Sequence, residues 1–79
     1  MLEKILDRYI GEKLLTADSF DSAIIGLEEN EMRLIYSVSK CLKILEKELT
    51  ELEALEYFTF NVSGAYVGEK TPIWCWDNF

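Results

Sequence analysis

The side chains able to do chemistry are few in this sequence. Fifteen of its 79 residues are Asp or Glu, two are Cys, and none is His. Two carboxyl groups act as acid and base when their surroundings push their pKa values apart. The nearest groupings are Asp18 with Asp21, and Glu28 with Glu29 and Glu31. Both lie in loop stretches, and no nucleophile–base pair accompanies them. Solvated loop acids are the expected reading. The missing His removes the commonest general base and the commonest metal ligand. Cys41 and Cys75 are far apart and form no CxxC pair, so zinc-site and thioredoxin-like spacing are both absent. The regular oxygen-ligand spacing of a calcium loop is absent too. No catalytic residue, metal or cofactor is expected, and the chain is not read as an enzyme.

Gly68-Glu69-Lys70-Thr71 resembles the end of a phosphate-binding loop only superficially. Glu69 separates the glycine from the lysine, the GxxxxGK[ST] spacing is not met, and no strand precedes it. A helix break followed by a turn into a final strand accounts for the segment.

Eight Lys and Arg against fifteen acids leave a formal charge of -7. A nucleic-acid binder needs cations to replace the counterions on phosphates. No basic block exists, and Lys40, Lys43 and Lys47 read as a solvated helix stripe diluted by Glu46 and Glu48. Direct nucleic-acid binding is therefore not expected. The imbalance suits a basic protein partner, since charge steers association. Glu28, Glu29 and Glu31 crowd a hairpin tip, where a short turn is expected to need no such charge, and are candidate partner-binding residues. Glu46, Glu48, Glu51, Glu53 and Glu56 extend the acidic surface.

Trp74, Trp76 and Phe79 crowd the last six residues. Such aromatics form either a core plug or a binding hot spot. By strand parity both tryptophans share one face, with Ile73 and Cys75 on the other. Trp74 and Trp76 are the second candidate partner-binding pair, and they become an exposed patch if the helices cover the Ile73/Cys75 face.

The elements that must position these groups follow from hydrophobic period. At 49% hydrophobic and 13% aromatic, the chain is too apolar for a disordered acidic tail. Its length bounds it to one domain over residues 1–79. Residues 2–14 read as an amphipathic helix on Leu2, Ile5, Leu6, Tyr9, Ile10 and Leu14, weakened by Gly11. Residues 16–22 read as a loop pinned by Phe20. Residues 23–27 and 32–36 read as a β-hairpin around Glu28-Glu29-Asn30-Glu31, with Asn30 supplying the left-handed conformation and Gly26 marking a bulge or a close helix approach. Ser37, or alternatively Ser39, caps a helix from Val38. Thr50 caps the next, with Glu53 completing a capping box. Leu52, Leu55, Phe58, Val62 and Ala65 make one stripe on that helix, which runs on until Gly64 or Gly68. Residues 73–76 read as a third strand. The expected fold is α+β, in the order α-β-β-α-α-β, with a three-stranded, mostly antiparallel sheet packed on helices. Its expected core joins Leu6, Ile25, Leu34, Leu42, Leu55, Phe58 and Val62.

No apolar run approaches the roughly 20 residues that span a bilayer, so no membrane partner is expected. The charged start lacks the apolar region of a signal peptide. A cytoplasmic protein with two free thiols is the expectation.

The segment Phe60-Asn61-Val62-Ser63-Gly64-Ala65-Tyr66-Val67-Gly68-Glu69-Lys70-Thr71-Pro72-Ile73 follows Ala23-Ile24-Ile25-Gly26 and Met32-Arg33-Leu34-Ile35-Tyr36. Together they resemble a family of small accessory proteins of bacteriophages and prophages. Its pattern is a short hairpin, a helix pair and then FN-x-x-GAYVGE-x-TPI, and the likeness covers roughly residues 20–76. The pattern carries no catalytic motif, so no functional residue is transferred. The resemblance implies a phage accessory protein in the host cytoplasm. Such proteins commonly bind host proteins, and some block defence systems such as CRISPR effectors. The expected function is thus an acidic, non-catalytic inhibitor that occupies a basic nucleic-acid groove of a host protein. The alternative is a phage structural or regulatory module that self-assembles, for instance as a homodimer, through its aromatic C-terminal strand.

Overall fold

Helix α1 covers Leu2–Arg8 in the computed structural model, which describes residues 1–79. It does not reach residue 14 as its apolar spacing predicts. Tyr9 leaves the helical region at φ -115 and ψ 52, and Gly11 sits at φ +92, a left-handed conformation that glycine adopts at no steric cost. Seven residues are too few to hold a helix by propensity, so packing must hold this one. Ile5 supplies it as the one buried residue of α1, whereas Leu6 is 46% exposed and falls outside the expected core.

The loop that follows is pinned as expected: Phe20 is buried ahead of a single 3-10 turn at Asp21–Ala23. The buried Tyr36 hydroxyl accepts from the Ala17 amide at 2.8 Å, tying the loop to the sheet.

Strands β1 (Ile24–Glu28) and β2 (Arg33–Ser37) form an antiparallel hairpin, with Glu28 opposite Arg33 and Leu27 opposite Leu34. The register slips between Ile24 and Gly26, which is the bulge marked by the glycine. Ile24 is therefore buried while Ile25 is only half-buried. In the turn, the left-handed residue is Met32 at φ 58, not Asn30. Asn30 instead gives its amide to the Glu28 carboxylate.

Helix α2 spans Val38–Leu45, and its Ser37 cap accepts from the Lys40 amide at 3.1 Å. Helix α3 spans Glu51–Tyr57 behind the Thr50/Glu53 capping box, in which both reciprocal bonds form. The chain then widens into π-helical turns over Phe58–Ser63, so the long helix is not uniform. Strand β3 (Ile73–Cys75) lies beside β2 and runs parallel to it, pairing Ile35 with Ile73 and Ser37 with Cys75. The sheet order is β1-β2-β3, with one antiparallel and one parallel pair, which corrects the mostly antiparallel expectation. Parallel neighbours need a long crossover, and α2 with α3 provides it.

Around this α+β frame the core gathers Ile5, Phe20, Ile24, Leu34, Tyr36 and Val38 with Cys41, Leu42, Ala54 and Phe58. Leu34, Leu42 and Phe58 meet the expectation, and Val62 packs at its edge. Leu55 does not: α3 and its π-helical extension bury Ala54 and Phe58, four apart, and leave Leu55 at 37% and Leu52 at 66% exposure. Ala54 carries only a methyl group, which lets α3 close against α2, so the small residue faces inward. A stripe drawn through the large apolar residues misses that face.

Candidate functional site

The hairpin tip brings Glu28, Glu29 and Glu31 together, but each is engaged within the chain. The Glu28 carboxylate folds back and accepts from the Asn30 and Glu31 amides, both at 2.8 Å. It supplies acceptors that a four-residue turn otherwise leaves to water, so the charge there has a local structural use, contrary to expectation. Glu29 accepts from the Tyr9 hydroxyl at 2.6 Å, which anchors the end of α1. That hydrogen bond, ahead of desolvation and the Glu29 charge, raises the Tyr9 pKa. Glu31 stands 3.7 Å from the Arg33 guanidinium, the one ion pair in the chain. Arg33 also gives its Nε–H to the Thr71 carbonyl at 2.6 Å, linking β2 to the turn before β3.

Acids with no hydrogen bond or ion pair are spread along the chain, at Glu3, Asp7, Glu12, Asp18, Asp21 and Glu69, and gather most densely where α2 hands over to α3. Glu46, Glu48, Glu51 and Glu56 are exposed and make no hydrogen bond or ion pair within the chain. Glu51 does sit in the first turn of α3, where the helix dipole favours it. Glu53 differs from them. The capping box holds its carboxyl below the usual range, chiefly through the backbone hydrogen bond with Thr50. Lys47 is the only cation in this stretch of residues 46–56.

Both tryptophans turn toward the helices and not away from them. Trp74 lies 5.1 Å from Tyr36 at 41° and 5.3 Å from Phe58 at 88°, while Trp76 meets Phe58 at 5.6 Å and 79°. The Phe58 ring is thus close to perpendicular to both indoles, a favoured geometry for aromatic pairs. Trp74 is half-buried, whereas Trp76, just past β3, remains 43% exposed and Phe79 stands free. The Trp74 Nε1 is sealed from solvent with no hydrogen-bond acceptor.

Sequence reasoning missed Asp77. Its carboxylate accepts from the Ser37 hydroxyl at 2.6 Å and the Ser39 amide at 2.8 Å, clasping the C-terminal segment to the start of α2. The Ser37 bond first, then the Ser39 amide, holds the Asp77 pKa down. No local pattern announces a contact between residues 40 apart.

Cys41 is buried, and desolvation, with a smaller contribution from the Asp77 charge, pushes its thiol up to about 12. A protonated buried thiol is a packing group and not a nucleophile. Cys75 is half-buried and likewise free. No three Asp, Glu or Cys side chains converge to hold a metal ion. No helix is long and apolar enough to cross a membrane. What the arrangement offers is surface: an internally bonded acidic tip, a free acidic corner and a partly exposed aromatic end. Comparison with family models, curated proteins and solved structures yields no match to this chain.

Proposed function

We propose that this chain is a non-catalytic acidic protein that binds a basic host protein and blocks its nucleic-acid groove. The phage accessory resemblance makes it an anti-defence inhibitor, with CRISPR effectors among its candidate targets. The observation that supports this reading is the surplus of unpaired charge. One ion pair forms in a chain with fifteen acids, and four unbonded glutamates sit within residues 46–56. Such charge costs self-repulsion and adds nothing to the core, but it speeds encounter with a Lys/Arg-lined surface.

The test combines nucleic-acid-binding defence effectors with the wild-type chain and with a Glu46→Gln, Glu48→Gln, Glu51→Gln, Glu56→Gln variant. These four are chosen because none bonds within the chain, unlike Glu28 or Glu53. The wild type is expected to displace nucleic acid from its target, with an association rate that falls steeply as salt rises. The variant, with its charge reduced from -7 to -3, is expected to associate slowly and with little salt dependence while keeping its melting temperature. Equal association rates for the two proteins at every salt concentration would exclude the electrostatic mechanism. The self-assembly alternative has less support, because Trp74 packs against Tyr36 and Phe58.

A further inference from the structure

Two adjoining cavities of about 480 and 490 Å³ open on one side of the molecule and share Ser19, Leu45 and Tyr57 in their walls. The first runs between the loop at residues 15–20 and the π-helical turns, reaching Trp74. The second continues past Leu45 and Tyr57 to Leu49, at the corner between α2 and α3. Through these shared walls the two depressions adjoin as one groove. Its walls are mostly apolar, and Tyr57 and Leu15 remain partly exposed along it. The charged side chains that line it are Asp18, Glu48 and Lys47, so acids stand in both halves.

We propose that this groove is the docking site for a basic amphipathic helix of the partner protein. The inference rests on the reading of the chain as a binder of basic proteins. Charge complementarity selects the occupant. An apolar helix face fills the groove while flanking Lys or Arg meet Asp18, Glu48 and the free glutamates of the corner. A helix fits better than an extended peptide, because it satisfies its own backbone hydrogen bonds against walls made of apolar side chains. A second copy of this chain is a poor occupant. It brings seven further excess negative charges, and its own lysine-bearing helix α2 already buries Val38, Cys41 and Leu42.

The probe is a synthetic Leu/Lys peptide with helical periodicity and no Trp. A scrambled peptide of the same composition, without an apolar face, is the control. Tryptophan fluorescence of the chain reports binding, since Trp74 lines the groove. The amphipathic peptide is expected to bind saturably and to retain measurable binding in ~1 M salt, where the Debye length is about 3 Å. Tyr57→Ala and Leu15→Ser, at partly exposed positions, are each expected to weaken it at least about tenfold, as loss of a contact hot spot does. An unchanged melting temperature for either variant shows that the loss is not unfolding.

Equal binding of both peptides in low salt and of neither in ~1 M salt would overturn the groove while leaving the acidic-binder reading intact. Binding of the amphipathic peptide that survives both substitutions overturns the groove as well. So does a neutral apolar dye that occupies the groove and is not displaced by the peptide, which would mark a small-molecule cavity instead. Retained groove binding by the four-Gln variant in ~1 M salt, together with unchanged effector association, would support the groove and reject the electrostatic reading.

Discussion

Phe58→Ala is the perturbation that most directly tests how α3 and its π-helical extension meet the sheet. Phe58 is fully buried, and its ring stands nearly perpendicular to both tryptophans. Truncating a buried Phe costs about 3–5 kcal/mol through lost transfer energy and the cavity left behind. Domains carry about 0.05–0.15 kcal/mol of stability per residue, so 79 residues give roughly 4–12 kcal/mol in total. The substitution thus removes a large fraction of the stability. At about 4–8 °C per kcal/mol for a domain this size, the melting temperature should fall by roughly 12–40 °C. Leu55→Ala is the informative partner. With Leu55 37% exposed, scaling the roughly 1.5–3 kcal/mol of full Leu burial gives about 1–2 kcal/mol. Thermal unfolding followed by near-ultraviolet circular dichroism reads both changes, because the tryptophan signals depend on the packing that Phe58 maintains. Equal losses from the two variants, or a larger loss from Leu55→Ala, would show that the helix buries its Leu52/Leu55 face and would refute the Ala54/Phe58 register.

Two further outcomes follow from the titrating groups. Asp77 and Glu53 have depressed folded-state pKa values, so their contributions are present above the unfolded-state values and are lost as pH falls through the folded ones. The melting temperature should therefore drop as pH falls through the lowered Asp77 and Glu53 values, and Asp77→Asn should flatten that acid limb; a monotonic rise down to ~pH 2 in scanning calorimetry would contradict this. Cys41, with its thiol pushed up to about 12 by burial, should label with a thiol reagent only as fast as the chain unfolds. Mass spectrometry that finds Cys41 modified as fast as an unfolded thiol at ~pH 8 would show the site to be open.

The parts of this protein legible in its sequence are those whose partners lie within about four residues. Ser37 bonds the amide three residues on, and Thr50 and Glu53 bond each other. Residue type and spacing placed the Thr50 cap and the hairpin, and they narrowed the α2 cap to Ser37 or Ser39 and Gly26 to a bulge or a close helix approach. The α+β element order followed, because apolar period and turn residues are local properties. The acidic imbalance was legible as well, since charge is a count.

Tertiary structure alone decided where that charge is free. The tip looked like the free cluster, yet Glu28 bonds its own turn and Glu29 takes the Tyr9 hydroxyl from 20 residues away. The corner at residues 46–56 leaves Glu46, Glu48, Glu51 and Glu56 unbonded, as are several acids elsewhere in the chain, whereas the tip engages its own. The parallel course of β3 was equally hidden, because strand direction depends on how the α2–α3 crossover returns and not on the composition of residues 73–75. The turn of both tryptophans toward Phe58 depended on the same return. The buried face of α3 was misjudged because Ala54 wins its inward place by being small, and that advantage exists only against the surface it packs upon. Asp77 reaches Ser37 and Ser39 across nearly half the chain, and the groove between the 15–20 loop and α3 has walls from four separate stretches. Interactions of that range are set by the shape into which the chain closes, which short-range hydrogen bonds and hydrophobic period constrain but do not determine.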